Sequence, residues 1–145
     1  MRVRLIAAGT RLPDWINTGV ADYARRFAHG LRFELVEIAL SRQAERMEAA
    51  IGPRDYVVAL EVTGRAMTTP ELANWLAERR AGGRDLAFLI GGPDGLDRAL
   101  AARADFRWSL SPLTFPHALV RVMVAEQLYR AQSLLQGHPY HRGSQ

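Results

Sequence analysis

The chain opens with Arg2-Val-Arg-Leu-Ile-Ala-Ala8, which alternates polar and apolar before turning wholly apolar. That is the pattern of a strand entering a sheet, and Gly9-Thr10 ends it. Asp14 is placed to cap a helix running to about His29, on which Trp15, Val20, Tyr23 and Phe27 share one face; Gly30 closes it. Residues 32–38 alternate as a second strand that leaves Glu34 and Glu37 outward and slips once at Val36. Residues 41–50 mix both charges with helix formers and predict a short surface helix. The runs 55–60 and 85–90 are continuously apolar after a leading Asp, the form of strands covered on both faces. Between them Thr69-Pro70-Glu71 opens a helix, with Thr69 as its cap, and Gly82-Gly83 stops it. A loop is expected from Glu61 to Thr68, a short helix over 97–104, and a brief strand over 106–110. Strands alternating with helices in this way predict an α/β fold, a mostly parallel sheet flanked by helices. Ligands bind beyond the carboxyl ends of such strands, so the loops after Leu60, Ile90 and Leu110 are the expected walls of one pocket.

The last third of the chain differs in kind. Ser109 to Pro116 has neither a helical nor an alternating period, which predicts a loop with backbone groups free to bond something. Pro116 suits the first position of a helix. From His117 to Leu135 apolar residues point in every direction around that helix, implying burial on more than one side and a second subunit to supply it.

Composition narrows the function. A chain of 145 residues makes one domain, 1–145, with no cysteine for a disulfide or a thiolate metal site. No apolar run approaches a membrane span, so a soluble protein of the reducing cytoplasm is expected. All 19 basic residues are arginine, in a chain of net charge +4. Arginine's flat fork suits phosphates and bases, although a genome rich in arginine and alanine codons gives the same composition. Arg4, Arg25 and Arg121 are candidate phosphate contacts by charge alone. His117 and Arg121, four apart on one helical face, suit either an anion or a salt-bridge partner. No dinucleotide or P-loop signature is present, and Gly91-Gly-Pro-Asp-Gly95, which could cradle a phosphate, reads first as a tight strand-to-helix connection. Ser109, Ser111 and Thr114 have no nucleophile elbow around them. His138 and His141 lack a carboxylate or thiolate that would complete a zinc site, so no metal is expected. The tail His138-Pro-Tyr-His-Arg142 holds what is needed to stack a base and grip a phosphate.

Several blocks together carry a resemblance. They are Ala8-Gly-Thr10 with Pro13-Asp-Trp15, Phe33-Glu-Leu-Val-Glu-Ile38, Leu60-Glu61, Leu89-Ile-Gly-Gly-Pro-Asp-Gly-Leu96, Trp108-Ser-Leu-Ser111, Pro116-His117, Glu126-Gln-Leu-Tyr-Arg-Ala131 and the tail. The chain closely resembles the bacterial large-subunit ribosomal RNA pseudouridine N3-methyltransferases, a branch of the SPOUT, or α/β-knot, methyltransferases. It departs from them in a shorter linker between Ile38 and Tyr56 and in the Gly-Ser-Gln that follows Arg142. The resemblance implies a homodimer with a deep C-terminal trefoil knot, an exception to the rule of unknotted chains. It implies S-adenosylmethionine held by Leu60, Gly91 and the run Leu110, Ser111, Pro112, Leu113, Thr114 and Phe115. It further implies that Tyr140, His141 and Arg142, with His138, hold a pseudouridine of 23S ribosomal RNA in the assembled ribosome. His141 or a water would then take the N3 proton. Two rivals remain: a SPOUT enzyme acting on transfer RNA, and a knotted RNA-binding protein without activity.

Overall fold

The computed structural model describes residues 1–142, and the appended Gly-Ser-Gln lies outside them. The elements follow the order β1 (Arg2–Ala8), α1 (Asp14–Ala24), β2 (Arg32–Ile38), α2 (Gln43–Ala50), β3 (Tyr56–Ala66), α3 (Thr69–Gly82), β4 (Leu86–Ile90), α4 (Arg98–Arg103), β5 (Phe106–Ser109) and α5 (His117–Leu135). A 3-10 turn, Pro139–Arg142, ends the described chain.

The strands form one five-stranded sheet in the order β2-β1-β4-β3-β5, with every pairing parallel. Both faces of its centre are covered. Leu5, Ala7, Phe88 and Val58 pack with α1, α3 and α5 through Val20, Leu72, Leu76, Val124 and Leu128. Their neighbours in sequence, Ile6, Ala8, Leu89 and Val57, pack on the other side with Met47 of α2 and Leu100 of α4. All five residues of β4 are buried, which is why its sequence shows no alternation.

Five local expectations shift. Helix α1 ends at Ala24, short of His29, because the chain then turns so that Phe27 stacks on Phe33 at 5.2 Å. Its buried face runs through Ile16 and Val20, leaving Trp15 63% exposed, and Asp14 makes no capping bond. Thr68, not Thr69, caps α3, in a reciprocal pair with Glu71. Pro116 likewise precedes α5 as its cap instead of starting it.

The segment expected as a loop after Leu60 continues as β3. Trp108 of β5 pairs with both Leu60 and Arg65, so the residues between them bulge out of the ladder. Gly64 permits the return: a Cβ there would stand 2.7 Å from the Arg107 carbonyl carbon. Helix α5 buries one face, Arg121, Val124, Ala125, Leu128, Ala131 and Gln132, against α1 and α3. Leu119 and Met123 on its other sides are only half-buried within one chain, whereas Val122 packs on the core beside Gly19 of α1.

Candidate functional site

Beyond the carboxyl ends of β3, β4 and β5 lies a cavity of ≈ 650 Å³. Its first wall is Leu60 to Thr63, its second is Ile90 to Pro93 with Gly95 and Leu96, and its third runs from Leu110 and Ser111 through Leu113 to His117, with Trp108 and Val120 behind. The size is that of a site for a nucleoside-sized ligand. Of the residues implied by the resemblance, Leu60, Gly91, Leu110, Ser111, Leu113, Thr114 and Phe115 line it. Pro112 sits in the same loop, exposed, and is not part of the lining.

The walls are held by their own sequence. Gly91 meets the returning loop so closely that a Cβ would fall 2.5 Å from the Leu96 amide nitrogen. The Gly95 amide donates to the Gly92 carbonyl at 2.9 Å, and Gln43 of α2 donates to the Gly95 carbonyl at 3.1 Å. The tight connection and the pocket wall are therefore the same structure. In the third wall the Ser109 hydroxyl donates to the Ser111 carbonyl at 2.9 Å, and the Leu113 amide donates to the Ser111 hydroxyl at 3.0 Å. These hydroxyls shape the loop, which leaves no activated nucleophile.

Sequence reasoning missed one cavity residue with distinctive chemistry. Among the described residues Glu61 is the only acidic side chain of the lining, and it pairs with Arg107 at 3.5 Å. It lies within β3 where the ladder to β5 breaks, so no strand period marks it. His117, expected to meet an anion or a salt-bridge partner, lies in the first turn of α5 and faces the cavity, while Arg121 pairs with Glu37.

Two of the candidate phosphate contacts are overturned. Arg121 is fully buried: its guanidinium donates to Glu37 at 2.6 Å and to the carbonyls of Ala8 and Gly9 at 3.1 and 2.8 Å. It ties α5 to the ends of β1 and β2 and meets no solvent. Arg4 is sunk between the Asp55 carboxylate and the Ala50 carbonyl, with its side chain 12% exposed. Arg25 stays exposed, paired with Asp22 on the surface of the turn after α1.

The tail does not join this cavity within one chain. The chain reverses after α5, where the His138 amide donates to the Ser133 carbonyl, and Tyr140 folds back onto its own helix. The Tyr140 hydroxyl donates to Glu126 at 2.9 Å and lies 3.2 Å from the Tyr23 hydroxyl; its ring meets Tyr129 edge-on at 4.7 Å. Glu126 is nine residues beyond His117, hence about 13 Å along the axis and on the opposite side of the helix. None of His138, Tyr140, His141 or Arg142 lines the cavity. Burial, followed by the bonds to Tyr23 and Glu126, pushes the Tyr140 phenol well above the usual tyrosine range. It stays protonated and is no base. His141 Nδ1 lies 2.5 Å from the His138 carbonyl, to which it donates; in a neutral ring that contact makes Nε2 the acceptor. Among the described residues no group of three or more His, Cys, Asp or Glu is arranged to hold a metal, and no helix is long and apolar enough to cross a membrane.

Solved structures with this architecture are methyltransferases of the SpoU type. The fold matches AviRb from Streptomyces viridochromogenes, solved in complex with AdoMet, at a TM-score of 0.52 and 14% identity, over 90% of this chain and 57% of that one. It matches a probable methylase family protein from Haemophilus influenzae at 0.55 and 16% identity, over 96% of this chain and 69% of that one. The family model described as "Predicted SPOUT methyltransferase" covers residues 1–141. A protein named Ribosomal RNA large subunit methyltransferase H from Alkalilimnicola ehrlichii is 54% identical over 98% of this chain and 99% of its own length. One of the same name from Stenotrophomonas maltophilia is 49% identical over the same shares. The chain belongs to the SPOUT methyltransferase family, in the branch of these ribosomal RNA methyltransferases.

Proposed function

We propose that this protein transfers the methyl group of S-adenosylmethionine to N3 of a pseudouridine in 23S ribosomal RNA, acting in the cytoplasm on assembled ribosomes. The observation that carries the reading is the cavity at three parallel strand ends, in a chain whose relatives of about half identical sequence are named ribosomal RNA large subunit methyltransferase H. The lining fits the group. Leu60, Ile90, Leu110 and Phe115 offer apolar walls to a flat base, the 110–115 loop offers backbone polar groups, and Glu61 offers a carboxylate to a cation.

When bound, S-adenosylmethionine supplies a methyl group on a sulfonium, reactive toward a nucleophile in line with the S–C bond. The protein's part is to orient that line and to manage one proton. The N3–H proton passes to His141 Nε2 or to a water, which frees the N3 lone pair as the nucleophile. Arg142 stabilises the negative charge gathering on the flanking carbonyl oxygens, and His138 and Arg25 assist in holding the RNA. Tyr140 belongs to the same tail.

A tail on the far side of α5 from its own cavity supports a homodimer in which each tail completes the partner's cavity. The deep C-terminal knot belongs to the same reading. The test is methylation of ribosomes from a strain lacking this gene, with the modified base mapped. Labelling of bulk transfer RNA instead, or of no RNA despite tight cofactor binding, overturns it. A second arm mixes a tail-dead variant, Arg142→Ala, with a cavity-dead one, Gly91→Ala. Exchange of subunits should restore about a quarter of the wild-type activity if sites are shared across the dimer, and none if each chain serves itself.

A further inference from the structure

Tyr140 is bound to its own subunit more thoroughly than a residue reserved for substrate needs to be. A phenol carries one proton and a carboxylate only accepts, so Tyr140 donates to Glu126 and the Tyr23 hydroxyl donates to Tyr140. Glu126 is itself fixed. Its Oε2 also accepts from Arg130 at 2.6 and 3.0 Å, and its Oε1 accepts from Gln127 at 2.6 Å. The Tyr140 ring closes a cluster with Tyr129 and Tyr23, which joins α1, α5 and the tail. Just past that ring are His141 and Arg142, half-buried and exposed respectively.

A short tail that is free on its helix would pay conformational entropy every time it entered a neighbouring cavity. We propose that Tyr140 is a clasp and not a substrate contact, and that Glu126 and Tyr23 are positioning residues. Through the Tyr140 hydroxyl they fix residues 138–142 on their own subunit, so that His141 and Arg142 enter the partner's cavity already ordered. This deepens the dimeric reading above and rests on it. It also reassigns Tyr140 from the group of base-holding residues.

Tyr23→Phe is the decisive variant, because the Tyr23 hydroxyl reaches the tail through Tyr140. Tyr140→Phe and the double variant complete a cycle. Three quantities are read: hydrogen exchange of the amides of 138–142, the dissociation constant for S-adenosylmethionine by calorimetry, and the single-turnover rate with saturating ribosomes and cofactor. Tyr140→Phe, losing a bond to a charged acceptor, should speed tail exchange and slow methyl transfer by about tenfold, and Tyr23→Phe by about threefold. The double variant should be no worse than Tyr140→Phe, and the cofactor constant should not move.

If Tyr140→Phe slows transfer while Tyr23→Phe changes neither rate nor exchange, the hydroxyl acts on the substrate and the clasp is refuted. Losses that multiply in the double variant refute it too, as does unchanged tail exchange in all three. Failure of the underlying reading looks different: the wild-type protein would methylate no ribosome, while the coupling of Tyr23 and Tyr140 in tail exchange would still be there to measure.

Discussion

Removing the Arg121 guanidinium should cost stability, not RNA affinity. Its Nη1 meets Glu37 and its Nη2 meets two backbone carbonyls, with no exposed surface. Deleting one member of a buried ion pair costs about 3–5 kcal/mol, chiefly because the other member is stranded. Glu37 keeps 34% of its side-chain exposure and can rehydrate, which puts Arg121→Ala at the low end, about 3 kcal/mol. With a urea slope of about 2 kcal/mol per molar, the unfolding midpoint should fall by about 1.5 M. Arg121→Lys keeps the charge but not the fork that spans β1 and β2, and should lose roughly half as much. Glu37→Gln keeps an acceptor but leaves the fully buried Arg121 charge without its counter-charge, and should lose at least as much as Arg121→Ala, about 3 kcal/mol. The assay is equilibrium unfolding in urea at one fixed protein concentration, since any self-association would shift apparent stability. An Arg121→Ala midpoint equal to wild type, coupled with a weaker salt dependence of RNA binding, would refute the clamp and restore the phosphate contact.

Gly91→Ala puts a Cβ against the Gly95–Leu96 backbone, so the loop must move; the calorimetric affinity for S-adenosylmethionine should fall at least about tenfold, and an unchanged value would remove Gly91 from the site. Thr68→Ala opens the cap of α3, remote from the tail, and should lower the free energy of unfolding by about 1 kcal/mol with cofactor affinity intact. The Arg2 amide, with help from the Arg2 guanidinium, holds the Asp85 carboxyl below the ordinary aspartate range. A depressed folded pKa contributes stability that is full above the unfolded value, ~4, and is lost as pH falls through the folded one. The difference in urea midpoint between wild type and Asp85→Asn should therefore be widest near neutrality and close below pH ~4; a gap constant into acid would contradict it.

The sheet is legible because burial on both sides writes a continuous apolar run, as in Leu86 to Ile90, and the cavity is legible because two such runs and the brief strand Phe106–Ser109 each give way to a segment read as a loop. What was hidden depended on partners far away in the chain. Glu61 to Ala66 look like a loop because their pairing comes from Arg107 and Trp108, which no local pattern reveals. Arg121 reads as surface because its partner Glu37 is 84 positions away. Trp15 was assigned inward because the helical phase was set from it instead of from Ile16, one residue on. Glu61 brings its carboxylate to the cavity from the bulged part of β3, where the strand period does not apply.

Helix α5 explains why fold and site are one problem. Its first turn brings His117 to the cavity, its second fixes Arg121 to the ends of β1 and β2, and its third brings Glu126 to Tyr140. A helix is stiff over a few turns, so cavity wall, sheet and tail hold a constant relation within each subunit. In the proposed homodimer, the half-buried Leu119 and Met123 on the outer side of α5 are where a second copy of this helix would be met. A substitution there should then move the partner's tail as a rigid piece and slow methyl transfer while leaving the calorimetric affinity for the cofactor unchanged; an unaffected rate would place the dimer contact elsewhere.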